Sequence, residues 1–320
     1  MSLLKLRLSM IGTLAAIIGI STLFLTVILT LIGAFNIIFL GGLVIAFNIA
    51  QWLLAPYLID AIYRVKKLSR SENPRLYEAV ERLCRKIKLK KPKLMLARLP
   101  IPNAFAYGSP ITGTKVAVTS GLLEQLNEEE VEAVIGHELG HLKHRDVQIM
   151  MFASILPAIF YYIGYSLMLS SWYRGGERDR GGGALPLLIG LASMAIYWVL
   201  TLFVLGLSRL REYYADQLSA RTVPDGARKL SRALAKIVFS TSRMKRHYRL
   251  DTGNLNSFKA LFITDLDRAE AEASMLAKSF RGEELVERIL RRRVTLADRI
   301  AELFSTHPNI VKRLRALKGM

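Results

Sequence analysis

Three long stretches of this chain carry no charged residue: Leu8 to Ile59, Val147 to Tyr173 and Gly181 to Ser208. A helix needs roughly 20 consecutive apolar residues to cross the hydrocarbon core of a bilayer. The first stretch has room for two such spans, over 11–32 and 37–57, with a turn near Gly33 and Asn36. The second and third hold one each, over 148–170 and 185–207. A cleaved signal peptide does not suit the N-terminus, because its apolar run is too long and a second span follows at once. Core helices of soluble proteins seldom stay charge-free for such lengths. The expected fold class is a mainly α integral membrane protein with about four transmembrane helices.

Lysine and arginine placement orients the spans. Lys5 and Arg7 precede the first, and Arg64, Lys66, Lys67 and Arg70 follow the second. Lys143 and Arg145 precede the third, and Arg209 and Arg211 follow the fourth. The loop 171–183 holds Arg174, Arg178 and Arg180 beside Glu177 and Asp179. Its glycine-rich composition reads as a flexible extramembrane segment. This pattern predicts a multi-pass protein of the cell membrane with both termini on the cytoplasmic side. The net charge of +19 could suggest nucleic acid. However, the sequence has no aromatic-basic RNA motif or zinc-finger pattern, so no nucleic-acid partner is expected. A cytoplasmic domain held against an anionic leaflet accounts for the excess more simply. The single Cys84 cannot form an internal disulfide, which suits a reducing compartment. It reads as a packing residue.

The extramembrane segments carry clear local signals. Asn73-Pro74 predicts a helix start, continuing to about Lys88. Alternation and β-branched content over 92–119 predict three short strands. Asn127 followed by Glu130 resembles a capping box, and Glu128 and Glu129 complement the helix N-terminus. Val131, Val134, Ile135 and Leu139 then recur at helical spacing. That helix feeds directly into the third span. The fourth span runs on through Glu212 and Asp216 to about Arg221. The remainder from Pro224 is basic and helical by periodicity, with 241–285 irregular enough to be partly mobile. The domain plan is a two-span hairpin over 1–59 and a first catalytic part over 60–146. A second hairpin over 147–208 and a second catalytic part over 209–320 complete it.

The capped helix contains His137-Glu138-Leu139-Gly140-His141. Positions four apart share one helix face, so His137 and His141 can offer two imidazole nitrogens to one ion. Glu138 projects beside them without being a ligand and can take a proton from the attacking water. A catalytic zinc normally takes three protein ligands. The metzincin pattern would need Gly at 144 and His at 147, where this chain has His144 and Val147. His144 would crowd the ion from the same helix and leave an unusual all-His set, so near Asp146 it reads as a membrane-interface residue instead. A carboxylate from a second helix is the better candidate. Glu212 stands just past the fourth span, and Asp216 shares its face and can orient a ligand histidine. By spacing alone Glu212 is equally an ordinary charged helix end.

Asn103-Ala104-Phe105-Ala106, the H-E-x-x-H pentad, Glu212-Tyr213-Tyr214-Ala215-Asp216 and Thr306-His307-Pro308 with Arg313 together resemble the HtpX family. These are integral-membrane zinc metallopeptidases related to the CAAX prenyl proteases. The likeness runs from the first span to the C-terminus, in matching order. It implies a gluzincin-like α+β peptidase domain with a small β-sheet and one Zn²⁺ per chain. It implies His137, His141 and Glu212 as ligands, Glu138 as general base and Asp216 as the residue orienting a histidine. Asn103, Ala104 and Phe105 would bind an extended substrate as an added strand. His307 would donate to the developing oxyanion, and Arg313 has no chemistry that its position reveals. The implied activity is endoproteolysis of membrane or misfolded proteins on the cytoplasmic side, as in stress response and protein quality control. A prenyl-protein peptidase and a zinc-stabilised, non-catalytic scaffold are the competing readings.

Overall fold

The computed structural model describes residues 37–174, 184–248 and 282–320. The chain divides into two compact units. One gathers 53–147 and 209–320; the other takes the described residues of 2–52 together with 148–208.

Helix α1 (Ile37–Ile62) leads to the two-residue strand β1 (Lys66–Lys67). Helix α2 (Pro74–Ile87) follows, with the Asn73 side chain accepting from the Leu76 N–H and proline at the first turn. It ends at Lys88, which takes a left-handed conformation at φ 53°. Strands β2 (Lys93–Ala97), β3 (Ala104–Ser109) and β4 (Gly113–Thr119) then form the sheet, and the short α3 (Ser120–Gln125) follows. The strand order is β1-β2-β4-β3, with β2 and β4 parallel and the other pairs antiparallel. The three strands expected over 92–119 are these. β1 was not expected, since two exposed lysines carry no strand pattern.

Helix α4 (Glu128–Lys143) opens with the complete capping box. Glu130 accepts from the Asn127 N–H at 3.1 Å while Asn127 accepts from the Glu130 N–H at 2.9 Å. One face of the sheet, through Leu94, Val116 and Val118, packs in a common core with α2, α4 and the C-terminal helices. The other face buries Met95, Phe105, Tyr107 and Ala117 against Ile59 and Tyr63. The sheet is therefore sandwiched, and β3 remains an edge strand among the described residues.

Helices α5 (Asp146–Arg174) and α6 (Ala184–Thr222) follow. Among the described residues, Asp146–Met168 and Leu185–Thr222 are long and apolar enough to cross a membrane. The two helices approach closely where glycines meet. A Cβ on Gly164 would lie 3.0 Å from the Gly190 carbonyl oxygen. Small residues allow such contacts between helices in lipid. The expected first span, over 11–32, lies outside the described residues, as does most of the loop 171–183.

Helices α7 (Gly226–Tyr248), α8 (Gly282–Arg291), α9 (Leu296–Leu303) and α10 (Ile310–Lys318) complete the chain. Within the stretch 241–285 that the sequence marks as irregular, the described ends are helical, as α7 runs through Tyr248 and α8 starts at Gly282. Residues 249–281 lie outside the described ones.

Candidate active site

The H-E-x-x-H pentad occupies the last turns of α4, and Glu212 and Asp216 lie on α6. What lets these helices meet is the absence of side chains on one face of α4. A Cβ on Gly140 would sit 2.9 Å from the Ala215 Cα. One turn earlier, a Cβ on Gly136 would lie 3.0 Å from Ser219 Oγ. The Ser219 hydroxyl also donates to the Ala133 carbonyl at 2.6 Å, a bond that ties the two helices directly.

At this crossing three donor groups converge, with Glu212 turning one oxygen to each histidine. His137 Nε2 and His141 Nε2 are 3.1 Å apart. Glu212 Oε2 is 3.6 Å from His137 Nε2, and Glu212 Oε1 is 3.4 Å from His141 Nε2. Ligands at roughly 2.0–2.1 Å from a tetrahedral zinc lie roughly 3.3 Å from one another. The observed triangle has that size.

The distal nitrogens of both rings face carboxylates. His137 Nδ1 lies 2.9 Å from Asp216 Oδ1, and His141 Nδ1 lies 2.6 Å from Asp146 Oδ2. A hydrogen bond joins His141 Nδ1 to Asp146, while His137 Nδ1 meets Asp216 as a close contact without hydrogen-bond geometry, and both Nε2 atoms turn toward one another. These buried groups call for positive charge beside them, which Arg313 supplies to Glu212 and which a proton on His141 or a metal ion in its place can supply to the ring nitrogens. Glu212 Oε2 is buried without a hydrogen bond, although Arg313 Nη1 forms an ion pair with it at 3.1 Å. The donor set therefore fits a divalent metal. Burial alone would lower the His141 pKa. The hydrogen bond to Asp146 and the nearby charges of Glu212, Asp146 and Glu138 outweigh burial and lift it to about 9.

Glu138 is 3% exposed and lies within ligand reach of both histidines. Burial raises its pKa, opposed by the two histidines and by a backbone hydrogen bond from Ala106. That bond brings β3 to the site. In antiparallel pairing, hydrogen-bonded and open pairs alternate. The Thr119 N–H donates to the Asn103 carbonyl at 2.9 Å. With Phe105 opposite Ala117 and Ala106 opposite Val116, Ala104 and Ala106 direct their backbone groups to the free edge. Phe105 turns its ring into the opposite core, at 5.7 Å from Tyr63 and 5.4 Å from Tyr107. Asn103 is 1% exposed and anchors the start of the strand through its N–H to Thr119 Oγ1 at 2.9 Å.

His307 comes to the same place from the segment before α10. Its Nε2 is 3.7 Å from Glu212 Oε1, and its Nδ1 shares a hydrogen bond with Thr306 Oγ1 at 2.9 Å. His144 is not among the converging donors. It caps α4 and packs its ring on Tyr214, with centroids 3.8 Å apart. Two participants were not assigned a part in the site from the sequence. Asp146 faces His141, and Arg211 Nε pairs with Asp146 Oδ2 at 3.1 Å. The only sequence signal for Asp146 is a lone acid five residues past the second histidine, off the ligand face of the helix.

Residues 70–320 match the profile described as peptidase family M48. The chain belongs to peptidase family M48. Individual relatives extend the match. A protease HtpX homolog of Thermoplasma acidophilum is 39% identical over 280 residues, covering 86% of this chain and 83% of the relative. That of Aeropyrum pernix is 37% identical over 311 residues, covering 97% and 94%. HtpX homolog 2 of Sulfurisphaera tokodaii is 36% identical over 329 residues, covering 99% and 97%. The crystal structure of S. mikatae Ste24p shares the fold at a TM-score of 0.56 and 18% identity, covering 98% of this chain and 67% of that one. As an M48 peptidase the chain is a hydrolase of the metalloprotease class.

Proposed function

We propose that this M48 peptidase is a membrane zinc metalloendopeptidase of the HtpX type, cutting membrane or misfolded proteins on the cytoplasmic side. The observation that carries the reading is the triangle of His137, His141 and Glu212 donor atoms with Glu138 beside it. His137, His141 and Glu212 would hold one Zn²⁺. An ion there lowers the pKa of the attacking water and polarises the scissile carbonyl.

The remaining work falls to the protein. The free edge of β3 receives the substrate as an added strand through the backbone groups of Ala104 and the carbonyl of Ala106, with Asn103 and Phe105 fixing the strand from its buried sides. Glu138 accepts the proton of the attacking water and returns it to the leaving amine. Burial raises its pKa above the ordinary carboxylate value, which makes it a stronger base for that proton. His307 donates a hydrogen bond to the oxyanion. Asp216 holds His137 in one tautomer.

Four spans with cytoplasmic termini, in hairpins over 1–59 and 147–208, would hold the catalytic parts 60–146 and 209–320 against the anionic leaflet of the cell membrane. The charge-free runs and the lysine and arginine placement support that arrangement.

The test is a matched pair in detergent. Wild type and Glu138→Gln are stripped with chelator, resupplied with zinc and given an unfolded model protein. Zinc-dependent cleavage by wild type alone, with one zinc retained by both, is expected. Equal cleavage by zinc-loaded Glu138→Gln would overturn the assignment of the base.

A further inference from the structure

Helix α9 is built the wrong way round for water. On its inner side Glu302 is 7% exposed, bonded to the Asn309 N–H at 3.1 Å and paired with Lys312. On its outer side Leu296, Ile300, Leu303 and Phe304 are 73%, 51%, 48% and 60% exposed. These positions recur at helical spacing on one face. A soluble helix turns such a face inward. Arg293, just ahead of the helix, and Arg299, beside the apolar face, are exposed too.

A second observation fixes where this face lies along the chain's path. The C-terminal carbonyls of α9 are held by one side chain. Arg209 Nη1 donates to the carbonyls of Glu302 at 2.7 Å, Leu303 at 3.1 Å and Ser305 at 2.7 Å. Arg209 is the first charged residue after the charge-free run ending at Ser208. The end of α9 is thereby pinned at the level where α6 changes from apolar to charged, which in a spanning helix is the membrane interface.

We propose that α9 is an interfacial anchor. Its Leu296, Ile300, Leu303 and Phe304 face enters the headgroup–acyl boundary of an anionic leaflet, with Arg293 and Arg299 on the lipid phosphates. This deepens the reading of the chain as a membrane protein and rests on it. It also gives the site a membrane contact. Ser305, next to Phe304 and held by the same arginine, donates its hydroxyl to the His307 carbonyl at 3.0 Å.

The test is spin-label depth measurement on the full chain in mixed phosphatidylcholine–phosphatidylglycerol vesicles, in a Cys84→Ser background. Single labels are placed through Ile300→Cys, Phe304→Cys, Glu287→Cys on the exposed side of α8, and Val199→Cys in the third charge-free run. Labels at 300 and 304 are expected to be relaxed by oxygen several-fold more than by a water-soluble nickel chelate, and the label at 287 the reverse. If 300 and 304 behave as 287 does while 199 reports lipid, the anchor is overturned and the membrane reading stands. If 199 is also aqueous, the membrane reading falls with it. Labels at 300 and 304 screened from both reagents would show a protein cover, a second copy or another partner, and overturn the lipid assignment. None of these outcomes depends on bound metal or on cleavage.

Discussion

Arg313 grips Asp216 with two edges of its guanidinium: Nε lies 2.9 Å from Oδ2 and Nη2 lies 2.6 Å from Oδ1. Both residues are 1% exposed, and the remaining Nη1 reaches Glu212. One arginine thus neutralises the two α6 carboxylates that face the histidines. Breaking a buried pair by removing one partner typically costs about 3–5 kcal/mol, because it strands the other charge. Arg313→Met should therefore lower the melting temperature of chelator-treated protein strongly. Arg313→Lys should fall between, since lysine keeps the charge but loses the two-pronged geometry. A methionine variant melting like wild type would refute this role.

Much of this site was legible because its determinants are local. The Asn127–Glu130 box, the four-residue spacing of His137 and His141 and that of Glu212 and Asp216 each lie within one helix. The structure sets Asp216 beside His137, as the shared face with Glu212 suggested. What stayed hidden depends on elements distant in sequence. Arg313 meets Asp216 across 97 positions, and no periodicity announces that contact. The outward face of α9 was equally hidden. Its amphipathic pattern is visible, but a pattern does not say which side meets the protein. Strand β1 exists because β2 offers a free edge, which two lysines cannot signal by themselves.

Asp146 should matter to the metal as much as Asp216 does. It takes the distal nitrogen of His141 at 2.6 Å and is paired with Arg211, the neighbour of Glu212. Partners that orient a ligand histidine typically contribute 10–100-fold in metal affinity. Asp146→Ala is therefore expected to weaken zinc by roughly that factor in competition with a chromophoric chelator, and to alter the visible spectrum of the cobalt form. Asp146→Asn keeps an acceptor oxygen and should lose less. Unchanged affinity and spectrum in the alanine variant would show that His141 needs no such partner.

Cys84 should be silent in the folded protein. It is 3% exposed in the core under α2, and burial pushes its thiol up to about 11. The thiolate is the reactive form, so iodoacetamide at neutral pH should modify it only after unfolding. The same shift has a consequence for stability. The folded state holds the proton more tightly than an unfolded thiol of pKa about 8.5. This group's contribution is therefore present below that value and lost as pH rises toward 11. Mass spectrometry of pulse-labelled protein reads the first effect. Rapid labelling of native protein at neutral pH would contradict the buried placement.

Gly140 and Gly136 should differ sharply in what an added methyl costs. At Gly140 the new Cβ meets the Ala215 backbone at 2.9 Å, and backbone within a helix cannot turn aside. Helix α6 would have to move, and with it Glu212 relative to His141. Overpacking of this kind typically costs about 1–3 kcal/mol. Gly140→Ala should therefore lose stability in chelator and also bind zinc more weakly, because the same displacement opens the donor triangle. At Gly136 the nearest atoms are Ser219 Oγ and Val223 Cγ2, both at 3.0 Å and both side-chain ends. Those give way more readily than backbone, although Ser219 would strain its bond to Ala133, so Gly136→Ala should cost less stability and weaken zinc less than Gly140→Ala. Calorimetric zinc titration of the two variants separates them. Equal affinity losses would mean that the helix crossing, rather than the contact at Ala215, sets the geometry of the site.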